Sequence, residues 1–272
     1  MTATMVMAAI GGRVTAAGGE GGYTPPSPDD FWLPLFGSGA FAFTRPMAIY
    51  LVSAIAVAGL LWWTTRNAAV VPTKRQWYVE QLYDFVRNSI GRDMIGSAHF
   101  RRFTPLLFTL FTFILLNNLM GVIPFFQNPP FARIGFAIAL VMVVYLVYHW
   151  VGLQKHGLVG YFKHMIPPGL PGFIAPFVFL VEFITYFITR PLTLTLRLFG
   201  NMLAGHMVLV LFILGGEYLL LHGDGFVKLA GVASFGGAAL MTVFEMLIQT
   251  LQAYVFTLLT ASYIGTAVAD DH

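Results

Sequence analysis

The residues of this chain that could do chemistry lie where hydrocarbon is expected. The stretch TLTLRLFGNMLAGH, residues 193–206, sets a guanidinium at Arg197, a carboxamide at Asn201 and an imidazole at His206 inside a long apolar run. A charge near the bilayer centre costs roughly 2.5–3.5 kcal/mol on insertion scales. Arginine cannot escape that cost by losing its proton. At least six uncharged residues flank Arg197 on each side, which keeps its side chain from reaching the interface. The guanidinium is therefore expected to face a water-filled path or an acid on another polypeptide. An internal bridge to Glu182 or Glu245 is the plain structural alternative.

Helical geometry divides these groups between two faces. At about 100° per residue, Asn201 lies about 40° round from Arg197 and His206 about 180° away. A second stripe runs through the last apolar stretch, where Glu245, Gln249 and Gln252 stand at i, i+4 and i+7 and so share a face. Tyr263, eighteen residues past Glu245, returns to that line. Such a row suits a polar pathway, and it also suits hydrogen-bonded packing of helices. His206 and Glu245 are candidates to exchange a proton if the chain folds them together. Asn117 and Asn118 read first as helix-packing amides. The spacing of His149, His156 and His164 matches no metal motif, and neither a metal nor a cofactor is assigned.

These groups must be positioned by membrane-spanning helices. The chain of 272 residues is 57% hydrophobic and only 10% charged, with 26 Phe, and its mean hydropathy is +0.75. Soluble domains carry about 25% charged residues. There is no cysteine, which excludes disulfides and thiolate chemistry. A net charge of +3 spread over loops gives no tract for nucleic acid.

Spans are expected at 46–65, 103–124 and 134–152, followed by a polar connector from Leu153 to Pro171. Two longer apolar stretches, 171–214 and 226–269, flank a loop GGEYLLLHGDG that holds Glu217, His222 and Asp224. Each stretch is too long for one upright crossing of a core about 30 Å thick. A steeply tilted helical hairpin is the favoured reading, with Gly215, Gly216 and Gly223 to Gly225 as breakers and a kink at Pro191. Between the first two spans, Val79, Leu82, Val86 and Ile90 line one face of an amphipathic helix over 74–93, expected to lie in the membrane surface. The fold class is therefore all-α and polytopic, with a flexible extracytoplasmic tail over 1–44, three spans within 45–170 and the hairpin over 171–272. Arg66, Lys74, Arg75, Arg87, Arg92, Arg101 and Arg102 crowd the first inter-span loop, so that loop and the C-terminus are expected to be cytoplasmic and the N-terminus outside.

TLTLRLFGNMLAGH closely resembles the hallmark segment of subunit a of the F-type ATP synthase, and LIQTLQAYVFTLLTASYI, residues 247–264, looks like that family's last helix. The resemblance extends over about residues 45–272. It implies that Arg197 corresponds to the family's essential arginine, and that Asn201, His206, Glu245 and Gln252 match its channel positions. Glu182 matches an acid on the cytoplasmic side. Many bacterial members carry Glu where this chain has His206 and His where it has Glu245; here the two are exchanged. The implied partners are a ring of c subunits, the peripheral-stalk b subunits and membrane lipid, with no nucleotide bound directly. The implied function is stator of a proton channel in a bacterial plasma membrane, not an enzyme on its own, with two offset half-channels serving the ring carboxylates.

Two other classes compete with that reading. An autonomous secondary transporter could use Arg197 to bind an anionic substrate, although the chain shows no internal repeat. A membrane-embedded hydrolase would need a nucleophile or metal motif, and neither HExxH nor GxSxG is present.

Overall fold

The computed structural model describes residues 27, 34–36, 43–66, 73–123, 129–166 and 171–269. Most of the expected N-terminal tail lies outside the described residues, as does the acidic end at Asp270 and Asp271. Within them the chain is almost wholly helical: α1 Arg45–Arg66, α2 Lys74–Phe85, α3 Phe100–Val122, α4 Ile134–His164, α5 Ala175–Ile184, α6 Arg190–His222 and α7 Phe226–Val268. Five helices are long and apolar enough to cross a membrane, with Ala175–His222 counted as one. A short antiparallel pair precedes α1, β1 Pro34–Phe36 with β2 Phe43–Thr44, and no sequence signal announced it.

Continuous helix is what an apolar environment dictates. Every unpaired backbone N–H or C=O in hydrocarbon costs several kcal/mol, and a helix satisfies them within one segment. That pressure explains two departures from the expected boundaries. The third span does not end at 152; helix goes on to His156, breaks at Gly157 (φ 69°, ψ 174°) and resumes as a short second helix to His164, so the expected connector holds a break with helix on both sides. Glycine adopts that conformation without a Cβ penalty. Nor do Gly215 and Gly216 break the chain, because α6 continues to His222 and the turn falls at Gly223–Gly225. A Cβ on Gly216 would lie 3.2 Å from the Gly231 carbonyl oxygen, so this glycine serves close approach of α6 to α7. Glu217 and His222, expected in a loop, are helical.

Two π-helical stretches interrupt the α pattern. Thr73 caps α2 by accepting from the Gln76 N–H at 3.4 Å, and α2 passes into a π segment at Val86–Arg92. Val86, Ile90 and Ile95 are buried, while Val79 and Leu82 are half-buried. The wider turn keeps a five-residue step from Ile90 to Ile95 on one face. The second π segment, Thr185–Thr189, joins α5 to α6, and the Arg190 N–H donates to the Thr185 carbonyl. Pro191 follows at once. Proline offers no N–H to the carbonyl four residues back, and the i→i+5 pattern takes up the mismatch where a simple kink is expected.

The described residues fall into two compact units. The first comprises parts of Met1–Ala56, Phe113–Arg133 and Phe199–Gln252; the second, parts of Val57–Thr112, Ile134–Leu198 and Ala253–His272. In the first unit, Ser53 donates to the Asn117 amide oxygen at 2.9 Å, and Asn117 donates to the Phe113 carbonyl at 2.8 Å. Tyr50 and Phe131 pack edge-on around Phe113. There α6 and α7 run antiparallel, tied by Ser234 donating to the Phe212 carbonyl at 2.7 Å. In the second unit, Tyr83 meets Phe108, and Phe85 meets Phe111 and Tyr254.

Candidate functional site

In the first unit the predicted stripe of α7 faces α6 and α3. Glu245 is 1% exposed, Gln249 1% and Gln252 3%, and His206 on α6 is 1% exposed. Asn201 donates its amide to the Gln252 side-chain oxygen at 2.8 Å, a link between α6 and α7 that helical spacing alone does not specify. Asn118 of α3 donates to the Gln249 carbonyl at 3.0 Å. The Gln249 amide nitrogen is turned to the Met202 sulfur at 3.2 Å, a weak acceptor. Asn117 and Asn118 are both fully buried and hydrogen-bonded, consistent with their reading as packing amides.

The Glu245 carboxyl packs against bare backbone. A Cβ placed on Gly205 would come within 3.1 Å of its Oε1, and Gly205 immediately precedes His206. Neither carboxyl oxygen of Glu245 has a hydrogen bond of ordinary geometry among the described residues. The same holds for Asn118 Oδ1, Gln249 Oε1 and Gln252 Nε2. A buried polar atom without a partner costs about 1–3 kcal/mol. Five in one unit, four of them on a single face of α7, form a line of groups suited to hydration.

The second unit holds Arg197, Glu182 and Tyr263 of the predicted set. Arg197 is exposed and Glu182 half-buried. Among the described residues the ion pair present is Arg87 with Asp84 at 3.7 Å, so the internal bridge considered for Arg197 is not formed. Leu192 and Leu196 beside it are 52% and 47% exposed. The permanent cation thus stands on an outward-facing apolar surface. Tyr263 lies over a different cation, with its ring centroid 4.8 Å from the Arg190 guanidinium carbon.

That second cluster was missed by sequence reasoning. Arg190 is clasped between Tyr263 and Tyr186, the latter centred 3.5 Å away. Tyr148 donates to the Tyr186 carbonyl at 2.8 Å. His149 Nδ1 is hydrogen-bonded to the Tyr161 hydroxyl at 2.6 Å, and its ring stacks on Phe187. The available signals were modest: Tyr186 and Arg190 stand four apart, and Tyr145, Tyr148 and His149 share one face of an otherwise aliphatic span.

Comparison with known proteins bears on what this arrangement does. Residues 47–265 match the family described as ATP synthase A chain. The chain is 44% identical over 271 residues to an ATP synthase subunit a from a Nocardioides species, covering 95% of this chain and 98% of that one. It is 42% identical over 257 residues to the ATP synthase subunit a of Pseudarthrobacter chlorophenolicus, covering 93% and 96%. With the protein of that name from Rhodococcus erythropolis, identity is 40% over 254 residues, covering 91% of each.

Proposed function

Because the chain belongs to the ATP synthase A chain family, we propose that it is the proton-conducting stator subunit of an F-type ATP synthase, held in a bacterial plasma membrane with its N-terminus outside. The observation that carries this reading is the pairing of an exposed, acid-free Arg197 with a buried stripe of partnerless polar atoms on Glu245, Gln249 and Gln252. A cation on a lipid-facing surface needs an opposite charge, and a rotor that presents carboxylates in turn supplies one. A guanidinium near a carboxylate favours its ionised form. Each acid of the c ring sheds its proton as it approaches Arg197 and stays ionised while it passes.

The same charge keeps two half-channels apart. Protons from outside pass along Glu245, His206, Gln249, Gln252 and Asn201 to the ring, and leave toward the cytoplasm past Glu182. Since a proton cannot cross the arginine directly, it rides the ring nearly full circle. Each elementary charge crossing the membrane gains about 2.3 kcal/mol per 100 mV, and several crossings drive one ATP at a site elsewhere in the complex. The hairpin of α6 and α7 lies tilted against the ring, and α2 lies in the membrane surface. The peripheral-stalk b subunits hold the stator still. The subunit binds no nucleotide and performs no covalent step.

The decisive experiment replaces Arg197 by Ala in the intact complex reconstituted in vesicles. Proton-driven ATP synthesis is expected to vanish, and the vesicles to leak protons. Wild-type synthesis by that variant would refute the stator role. Saturable uptake of a small anion by the chain reconstituted alone would favour an autonomous transporter instead.

A further inference from the structure

In the second unit, the start of α3, the end of α7 and the stretch of α4 before Gly157 line a cavity of about 540 Å³. Its rim carries the Arg102 guanidinium from the start of α3, the Lys155 ammonium from α4 and the His99 imidazole from the turn before α3. Its walls are apolar, built from Phe103, Val151 and Val268. No acidic residue lines it among the described residues. Lys155 also donates to the carbonyl oxygen of Val268, at the last turn of α7, which anchors the ammonium at the mouth.

The position of the cavity follows from the sequence around it. Arg101 and Arg102 stand at the first turn of the apolar helix α3, and Lys155 comes three residues after the uncharged run 134–152. A run of nineteen residues rises about 28 Å as helix, close to a hydrocarbon core. Basic residues directly beyond such a run sit at the level of lipid headgroups. The cavity therefore lies at the level of a membrane surface, where cationic and hydrocarbon side chains line it together.

From this we infer that the chain binds one anionic phospholipid here, its phosphate held by Arg102, Lys155 and His99 and the start of its acyl chains laid against Phe103 and Val151. Charge selects the headgroup, because three basic side chains and the Gln154 amide, with no acid among the described residues, line the cavity. The apolar wall selects a lipid over a free anion, which would leave that wall wet. Basic pockets among transmembrane helices take anionic headgroups on the same physical grounds. This site is separate from the proton path, and its occupancy does not depend on the stator reading.

The test uses the whole complex in nanodiscs of phosphatidylcholine doped with photoactivatable phosphatidylglycerol, with labelled peptides mapped by mass spectrometry. Labelling is expected on the peptides that contain Phe103 and Val151. It is expected to fall at least about tenfold in the double variant Arg102→Gln, Lys155→Gln, since each basic residue at a membrane surface adds several-fold to anionic-lipid binding. Arg101→Gln, next to the pocket but not lining it, should leave labelling intact. Lys155→Arg should retain it too, which guards against mere loss of the contact to Val268. Equal labelling by a phosphatidylcholine probe would overturn the proposal. So would labelling abolished by competing inorganic phosphate, which marks a free-anion site. A gain in labelling on deleting residues 270–272 would instead assign the pocket to the chain's own acidic end.

Discussion

Two polar clusters lie among the apolar side chains of this molecule, one in each unit, and they handle burial differently. In the first unit, amides from α3, α6 and α7 bond in pairs, as Asn201 does with Gln252 at 2.8 Å. The Glu245 carboxyl oxygens make no hydrogen bond of ordinary geometry among the described residues. In the second unit a full positive charge on Arg190 forms no ion pair among the described residues; tyrosine faces flank it at 3.5 and 4.8 Å. A cation over aromatic rings gains roughly 2 kcal/mol when desolvated. The contrast separates a cation that holds structure from an acid that is poised to react. It also sharpens the difference between the two arginines of α6. Arg190 is occupied within its own unit, whereas Arg197, seven residues on, projects outward.

The largest effect should come from the acid. Glu245→Leu, in a complex that still assembles, is expected to lower proton-driven ATP synthesis by about 10²-fold, the scale of a lost proton-transfer group. The combined exchange His206→Glu with Glu245→His should retain about tenfold more synthesis than either single change. Equal loss in all three variants would break the idea that the two side chains pass a proton. Next in size is the caged cation. Arg190→Ala should destabilise the complex by about 2 kcal/mol, read as a lower midpoint of thermal inactivation, with the rate of synthesis by the surviving complex near wild type. A collapse of that rate with unchanged thermal stability would place Arg190 on the proton path and erase the contrast. The smallest effect belongs to the amide pair. A double-mutant cycle on Asn201→Ala and Gln252→Ala should give a coupling of about 0.6 kcal/mol, typical of hydrogen bonds between membrane helices. A value near zero would mean that water, not the partner amide, carries each group.

Much of the fold could be read before any coordinates. Apolar run length located the five crossings, and the spacing of Val79, Leu82, Val86 and Ile90 identified the inward face of α2. Boundaries were harder, for one recurring reason. Local glycine signals suggest turns, yet where backbone cannot hydrogen-bond to water a helix continues unless something replaces its bonds. Gly215 and Gly216 therefore stay helical, whereas Gly157, at φ 69°, does break the helix within 153–164. The π segments at Val86–Arg92 and Thr185–Thr189 have no composition of their own and register how packing and Pro191 displace the hydrogen-bond ladder.

The candidate site divides along the same line. Placing Glu245, Gln249 and Gln252 on one face needed only the helical period, because spacing within a helix is local geometry. Singling out Arg197 needed only the cost of a charge that cannot be neutralised. Which amide meets which, and that the Glu245 carboxyl rests against Gly205, depends on how α6 and α7 are set side by side, a matter of residues far apart in the chain. The clasp on Arg190 is equally non-local, since Tyr186 and Tyr263 approach it from different helices. The amino-acid order determined which groups are buried and which way each helix faces, because those depend on hydrophobicity and a fixed repeat. Only the tertiary structure decided their partners, because contacts between helices depend on register and close approach that no single segment encodes.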